Sequence, residues 1–184
     1  MKHYHEPGDL HELTLSCYEG RTLLAEEMGR KLLCESIHRA MERHHFGLVA
    51  FVLMPEHVHV LVCPQAVEPA IDELLYAIKR SFSYRMKQYY EAIRDPKRAE
   101  LTVRERPGRT SFRFWQEGGG YDRNISTPNA VLASIDYIHT NPVRRGLVNR
   151  AREWKWSSCR WYESDKQVVD PDLPKIHGLP DFVA

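Results

Sequence analysis

No apolar run in this chain approaches the ~20 residues that a membrane-spanning helix needs. Charges break the stretch from Met1 to Gly20 every few positions, so no secretory signal is expected there. Internal repeats and low-complexity tracts are absent too, which argues against solenoid and fibrous architectures. Cysteine is scarce: Cys17, Cys34, Cys63 and Cys159 stand far apart, with no Cys-x-x-Cys pair. Reduced thiols and a cytoplasmic location fit that pattern. A large net charge is lacking as well, at +1 for 184 residues. That length suits one domain with a sizeable core rather than two.

The near-zero charge conceals an uneven distribution. Residues 1–45 hold six Lys and Arg against eight acids, whereas residues 79–123 hold twelve against six. Arg144, Arg145, Arg150, Arg152 and Lys155 then face Glu153 alone within residues 144–155. This basic bias suits a phosphate backbone, although solvated helix faces look similar.

Among what is present, the run Val52-Leu53-Met54-Pro55-Glu56-His57-Val58-His59-Val60-Leu61-Val62 stands out. Successive side chains in a strand alternate faces, so His57 and His59 point the same way while Val58, Val60 and Val62 point into a core. Two adjacent imidazoles can share one divalent cation. Equally, a half-buried strand can simply tolerate histidine. Glu56 is expected to point away from His57 and to act at the turn.

The coarse pattern is β-α-β-β-α-β up to residue 116. His11 to Cys17 alternates as a first strand. Leu23, Leu24, Met28, Leu32, Leu33, Ile37, Ala40 and Met41 recur at helical spacing as far as about His44. Gly47 to Met54 and His57 to Cys63 form a hairpin across Pro55-Glu56. Ile71 to Ile93 traces a second amphipathic helix, and Asp95 to Thr110 reads as an exposed excursion. Ser111 to Gln116 and Tyr121 to Ile125 flank a glycine turn. The order predicts an α+β, ferredoxin-like fold: an antiparallel sheet with two helices on one face. Residues 143–184 read as an appended tail anchored by Trp154, Trp156 and Trp161.

A third helix starts at the N-cap Thr127 with Pro128 in its first turn, and is expected to stop near Asn141, before Pro142. Val131, Ile135 and Ile138 make its apolar stripe. Tyr137 falls off that stripe, on a face whose earlier turns carry Ala130, Ala133 and Ser134 and whose next turn carries Asn141. A large phenol therefore stands on a small, polar face with an amide beside it; helical tyrosines also pack at core edges with the hydroxyl in water. His139 lies on another helix face and is expected to be structural.

These pieces together resemble the single-tyrosine HUH transposases, and within them the REP-associated tyrosine transposases. The resemblance rests on His57-Val58-His59 followed by Asp136-Tyr137-Ile138-His139-Thr140-Asn141-Pro142-Val143. It is supported by Leu53-Met54-Pro55-Glu56-His57, Phe114-Trp115-Gln116, Tyr121-Asp122-Arg123, Gly146-Leu147-Val148 and Trp154-Lys155-Trp156-Ser157-Ser158. It spans about residues 8–162 in the right order. It implies a transposase domain over residues 1–142, with 143–184 a tail packed on, or extending, the DNA-binding surface.

The resemblance further implies that His57, His59 and Asn141 hold Mg²⁺ or Mn²⁺. It implies that Tyr137 attacks single-stranded DNA near a hairpin, leaving a covalent 5′-phosphotyrosine. Arg80, Arg85, Lys87, Arg123, Arg144 and Arg145 are the candidate DNA contacts, and the protein is expected as a monomer or homodimer. Histidine-triad hydrolases share His-x-His-x-His, but Leu61 here replaces the third histidine. The remaining alternative is a hairpin-binding protein of the same fold that does not cut.

Overall fold

The computed structural model describes residues 9–66, 69–118 and 120–180. Alternation in β1 (Leu10–Ser16) sends Leu13 and Leu15 to one side and Leu10, Glu12 and Thr14 to the other. Then follow α1 (Glu27–His44), β2 (Phe46–Leu53), β3 (His57–Pro64) and α2 (Ile71–Ala92). With β6 (Tyr121–Ile125), the strands pair antiparallel in the order β2-β3-β1-β6. This is the ferredoxin-like arrangement that the hydrophobic pattern predicts.

The fourth sheet strand is not where the sequence places it. Ser111 and Phe112 end a separate two-stranded ribbon, β4 (Thr102–Arg106) with β5 (Arg109–Phe112), which follows a short helix, α3 (Lys97–Glu100). Phe114 and Trp115 then turn inward, with their rings 4.7 and 5.2 Å from Phe82. Burial of these aromatics draws the segment into the core, leaving β6 to pair with β1.

Each sheet face buries its own cluster. On one side α1 and α2 cover Leu13, Leu15, Phe51, Val58, Val60 and Val62. On the other, α4 (Pro128–Arg144) packs Val131, Ile135 and Ile138 against Leu10, Val52, Leu61 and Ile125. The three valines of β3 are fully buried, each contributing about 1.5–3 kcal/mol. A one-residue slip of β3 would drive His57 and His59 into that apolar layer, so the register of the histidines is held by the valines between them.

Thr127 caps α4 by accepting from the Ala130 N–H at 3.4 Å. The helix does not end before Pro142; it runs on to Arg144. A proline in the last turn removes only one hydrogen bond, and the turn is closed by Arg145 N–H to Asn141 O and Leu147 N–H to Pro142 O. The stop comes at Gly146, whose φ of +67° suits glycine.

The tail covers the free edge of β2. Leu53 N–H donates to Trp156 O, Ser158 N–H to Phe51 O, and His177 N–H to Leu48 O. Trp154 Nε1–H donates to Leu53 O at 3.1 Å, and the Tyr162 hydroxyl donates to Val49 O at 3.0 Å. Trp154 and Trp156 also stack against the Arg30 guanidinium of α1, 4.9 and 5.7 Å from its carbon. All eight residues of β2 are consequently buried, which is why an antiparallel edge strand reads as the unbroken apolar run FGLVAFVL.

Candidate active site

His57 and His59 open β3 on the face covered by α4, with their rings edge to face and 4.8 Å between centroids. Register sets Thr14 beside His59, and the Thr14 Oγ1 lies 3.0 Å from His59 Nδ1. Glu12, on the same face of β1, brings Oε1 to 3.9 Å from that nitrogen. Burial pushes His59 down to about 4 and also lowers His57, for which Glu56 acts in the opposite sense. Both rings are therefore neutral near pH 7, and a neutral imidazole offers a lone pair.

Glu56 departs from the expectation. Its Oε1 lies 3.1 Å from His57 Nδ1 and accepts from Arg145 Nη2 at 3.0 Å. Alternation fails because Glu56 belongs to the two-residue turn, closed by Met54 N–H to His57 O, and not to the strand. A carboxylate at Nδ1 favours the Nδ1–H tautomer and leaves Nε2 as the ligating nitrogen.

Tyr137 comes down from α4 with its ring centroid 5.5 Å from that of His59, edge to face. At 38% exposure its ring borders water rather than core. Two turns on, the Arg144 guanidinium carbon lies 5.1 Å from the tyrosine ring centroid. One turn back, the Ser134 hydroxyl donates to Glu12 Oε2 at 2.9 Å, and Arg123 Nη2 reaches the same oxygen at 2.7 Å. This buried carboxylate ties β1, β6 and α4 together beneath the tyrosine. Ala133 is small enough to leave a cleft of about 490 Å³ between Tyr137, His59, Thr14, Glu12, Tyr121 and Arg123.

Asn141 is buried one turn after Tyr137. Among the described residues, no three His, Cys, Asp or Glu side chains are grouped to hold a metal. Of the three donors expected from the sequence, the structure brings the two imidazoles against each other, whereas no contact among the described residues joins the Asn141 amide to them. The paired neutral rings, one held by a carboxylate at Nδ1, fit a divalent ion.

A family model described as "Transposase IS200 like" matches residues 10–101, half of the chain. The chain belongs to the IS200-like transposases. It is 27% identical over 142 residues to a Haemophilus influenzae protein that bears the name REP-associated tyrosine transposase, covering 77% of this chain and 72% of that one. It shares its fold with a solved structure of a REP-associated tyrosine transposase bound to a REP hairpin. That likeness has a TM-score of 0.70 at 17% identity, over 99% of this chain and 94% of the other.

The basic candidates of this transposase-family chain divide into two groups. Arg123, Arg144 and Arg145 gather at the cleft. Arg80, Arg85 and Lys87 lie on α2, in the layer across the sheet. There Arg85 joins the helices by pairing with Glu35 at 2.6 Å, and Arg80 stacks on Tyr76 at 5.6 Å. His139 is buried away from the cleft, its Nε2 2.8 Å from Ser158 Oγ, and desolvation takes it down to about 4.

Glu12, Thr14 and Tyr121 are the cleft residues that sequence reasoning missed. A signal existed for the first two: polar residues alternate with Leu13 and Leu15 in a central strand, so their face has to meet something polar. Tyr121 follows Gly120, whose φ is +85° and whose added Cβ would collide with the Thr14 carbonyl. Only glycine lets β6 begin this close to β1.

Proposed function

We propose that this protein cleaves and rejoins single-stranded DNA beside hairpins of the REP type, through a covalent 5′-phosphotyrosine on Tyr137. The observation that carries the reading is the approach of Tyr137 to His59 within one chain, in an open cleft. The relative named as a REP-associated tyrosine transposase, and the fold shared with one bound to a REP hairpin, support the substrate class.

The chemistry follows from the groups present. The Tyr137 Oη attacks the scissile phosphorus, one P–O bond forms, and the bond to the 3′-oxygen of the preceding nucleotide breaks. The phenol proton is lost to water, and the leaving 3′-oxygen takes one up. Because a phosphodiester is exchanged for a phosphodiester, a later attack by a 3′-hydroxyl reseals the strand without ATP. Arg144 and Arg145 supply positive charge where the phosphate must lie. Tyr121, 56% exposed at the cleft, offers a ring on which a base can stack.

His57, His59 and Asn141 would hold Mg²⁺ or Mn²⁺. Such an ion, when bound, polarises a phosphate oxygen and favours ionisation of the phenol. Glu56 and Thr14 hold the two rings from behind. Nitrogen-rich ligation favours Mn²⁺ over Mg²⁺.

The test is incubation with labelled hairpin DNA carrying a single-stranded flank, with Mn²⁺, followed by denaturing electrophoresis. An adduct that survives detergent and disappears in Tyr137→Phe is the expected result. Tight binding with no adduct on any flank would instead establish a hairpin-binding protein that does not cut.

A further inference from the structure

The ribbon β4–β5 does not line the cleft, yet it gathers arginine at an exposed tip. From Thr102 to Phe112 it carries Arg104, Arg106 and Arg109 against Glu105, which pairs with Arg109 at 3.1 Å, a net +2 in a chain whose total is +1. Every residue from Arg104 to Thr110 is exposed. Among the described residues, Arg104 and Arg106 have no carboxylate within 4.0 Å. Arg106 and Arg109 stand directly opposite each other across the Pro107-Gly108 turn. Like charges in that position destabilise a hairpin; Glu105 answers Arg109 alone, and an anion laid across the tip would answer Arg104 and Arg106.

The base of the ribbon is as firm as its tip is charged. Leu101 is fully buried, Arg113 N–H donates to Leu101 O, and Phe112 lies against Tyr90 with 6.5 Å between centroids. A chain of backbone hydrogen bonds then leads to the catalytic end of the sheet: Tyr18 N–H to Phe114 O, and Cys17 N–H to Glu56 O, next to His57. The ribbon is thus linked through the backbone to the end of the sheet that carries His57.

We infer that the Arg104–Arg106–Arg109 ribbon is a clamp for the phosphates of a DNA hairpin stem, holding the duplex while its single-stranded flank lies in the Tyr137 cleft. A two-stranded ribbon is narrow enough to lie along a duplex groove, and arginine suits phosphate geometry. This rests on the proposed function for its choice of DNA.

The experiment measures equilibrium binding by fluorescence anisotropy in the Tyr137→Phe protein, so that no covalent trapping enters. Three probes are used: a hairpin with flank, the hairpin alone, and an unstructured strand of equal length. Combined Arg104→Gln, Arg106→Gln and Arg109→Gln should weaken both hairpin probes at least about tenfold near 0.1 M salt. It should also flatten the slope of log K against log salt by about 2.7, as for three lost phosphate contacts. Glu105→Gln should tighten them, and Arg39→Gln with Arg43→Gln and Arg160→Gln should leave them unchanged.

Unchanged hairpin affinity and slope in the triple variant, with near-ultraviolet circular dichroism intact, would overturn the clamp. Equal weakening by the control triple, or on the unstructured strand, would overturn it as well. The outcome is separable from the cleavage reading. Loss of hairpin binding in the ribbon variant stands even if Tyr137 forms no adduct, and an adduct stands even if the ribbon is inert.

Discussion

At the scale of single residues, the cleft is organised by side chains that hold other side chains. Thr14 and Glu56 fix the histidines, and Glu12 fixes the helix that bears Tyr137. Partners behind a metal-binding imidazole typically contribute 10–100-fold in affinity. Thr14→Val is nearly isosteric and removes only the hydroxyl. It should therefore lower Mn²⁺ affinity by about that factor in isothermal titration calorimetry, with the melting temperature little changed. An unchanged Mn²⁺ affinity would show that Thr14 does not orient His59.

At the scale of elements, α4 and the tail share one anchoring point. Ser158 Oγ accepts from the Phe51 N–H at 3.0 Å and lies 2.8 Å from His139 Nε2, so one hydroxyl joins the tail to β2 and to α4. Ser158→Ala would leave a buried N–H and a buried ring nitrogen without partners. At about 1–3 kcal/mol per group, urea midpoints should fall clearly, and a loss below about 0.5 kcal/mol would mean that water replaces the hydroxyl.

The same strap responds to pH at its far end. His177 Nδ1 accepts from the Leu48 N–H at 3.1 Å, which requires a ring unprotonated there. Burial and then Lys175 and His38 lower its affinity for protons, with Glu42 acting in the opposite sense. The folded pKa thus lies below the ordinary value of about 6.5. The unfolded chain binds the extra proton first, so this contribution is complete above 6.5 and falls as pH drops through that value. Exchange of the Leu48 amide, corrected for intrinsic rates, should be slower at pH 7.5 than at pH 5. Equal protection at both would remove His177 from the edge's stability.

At the scale of the whole molecule, one chain brings Tyr137 and His59 together, and the proposed centre accordingly draws its histidines and its tyrosine from one subunit. Mixing Tyr137→Phe protein with His59→Ala protein should therefore restore no covalent adduct. Recovery of adduct in the mixture would reveal an exchanged, intersubunit site. No helix among the described residues is long and apolar enough to cross a membrane, which matches the hydropathy of the sequence.

Much of this was legible because it is written in short-range pattern. Alternation along β3 separated His57 and His59 from Val58, Val60 and Val62, and helical spacing separated Tyr137 from Val131, Ile135 and Ile138. Those periods follow from backbone geometry and need no neighbours. Three things escaped. Glu56 turned toward His57, α4 continued through Pro142, and β6 displaced residues 111–116 from the sheet. In two of them a contact distant in sequence outweighed a local preference, Arg145 for Glu56 and burial beside Phe82 for Phe114 and Trp115; in the helix, local closing hydrogen bonds beyond Asn141 outweighed the proline.

The sequence by itself therefore determined the first three strands, the two helices that cover one face, the shared face of His57 and His59, and the place of Tyr137 off the apolar stripe, since periodicity acts locally. Only the tertiary structure decided that Thr14, Glu12 and Arg123 join them and that the tail closes the β2 edge. It alone carried Arg144 and Arg145 to the cleft. Those placements depend on pairings between segments from about 40 to more than 120 residues apart, where the energy lies in the contact and in neither segment alone.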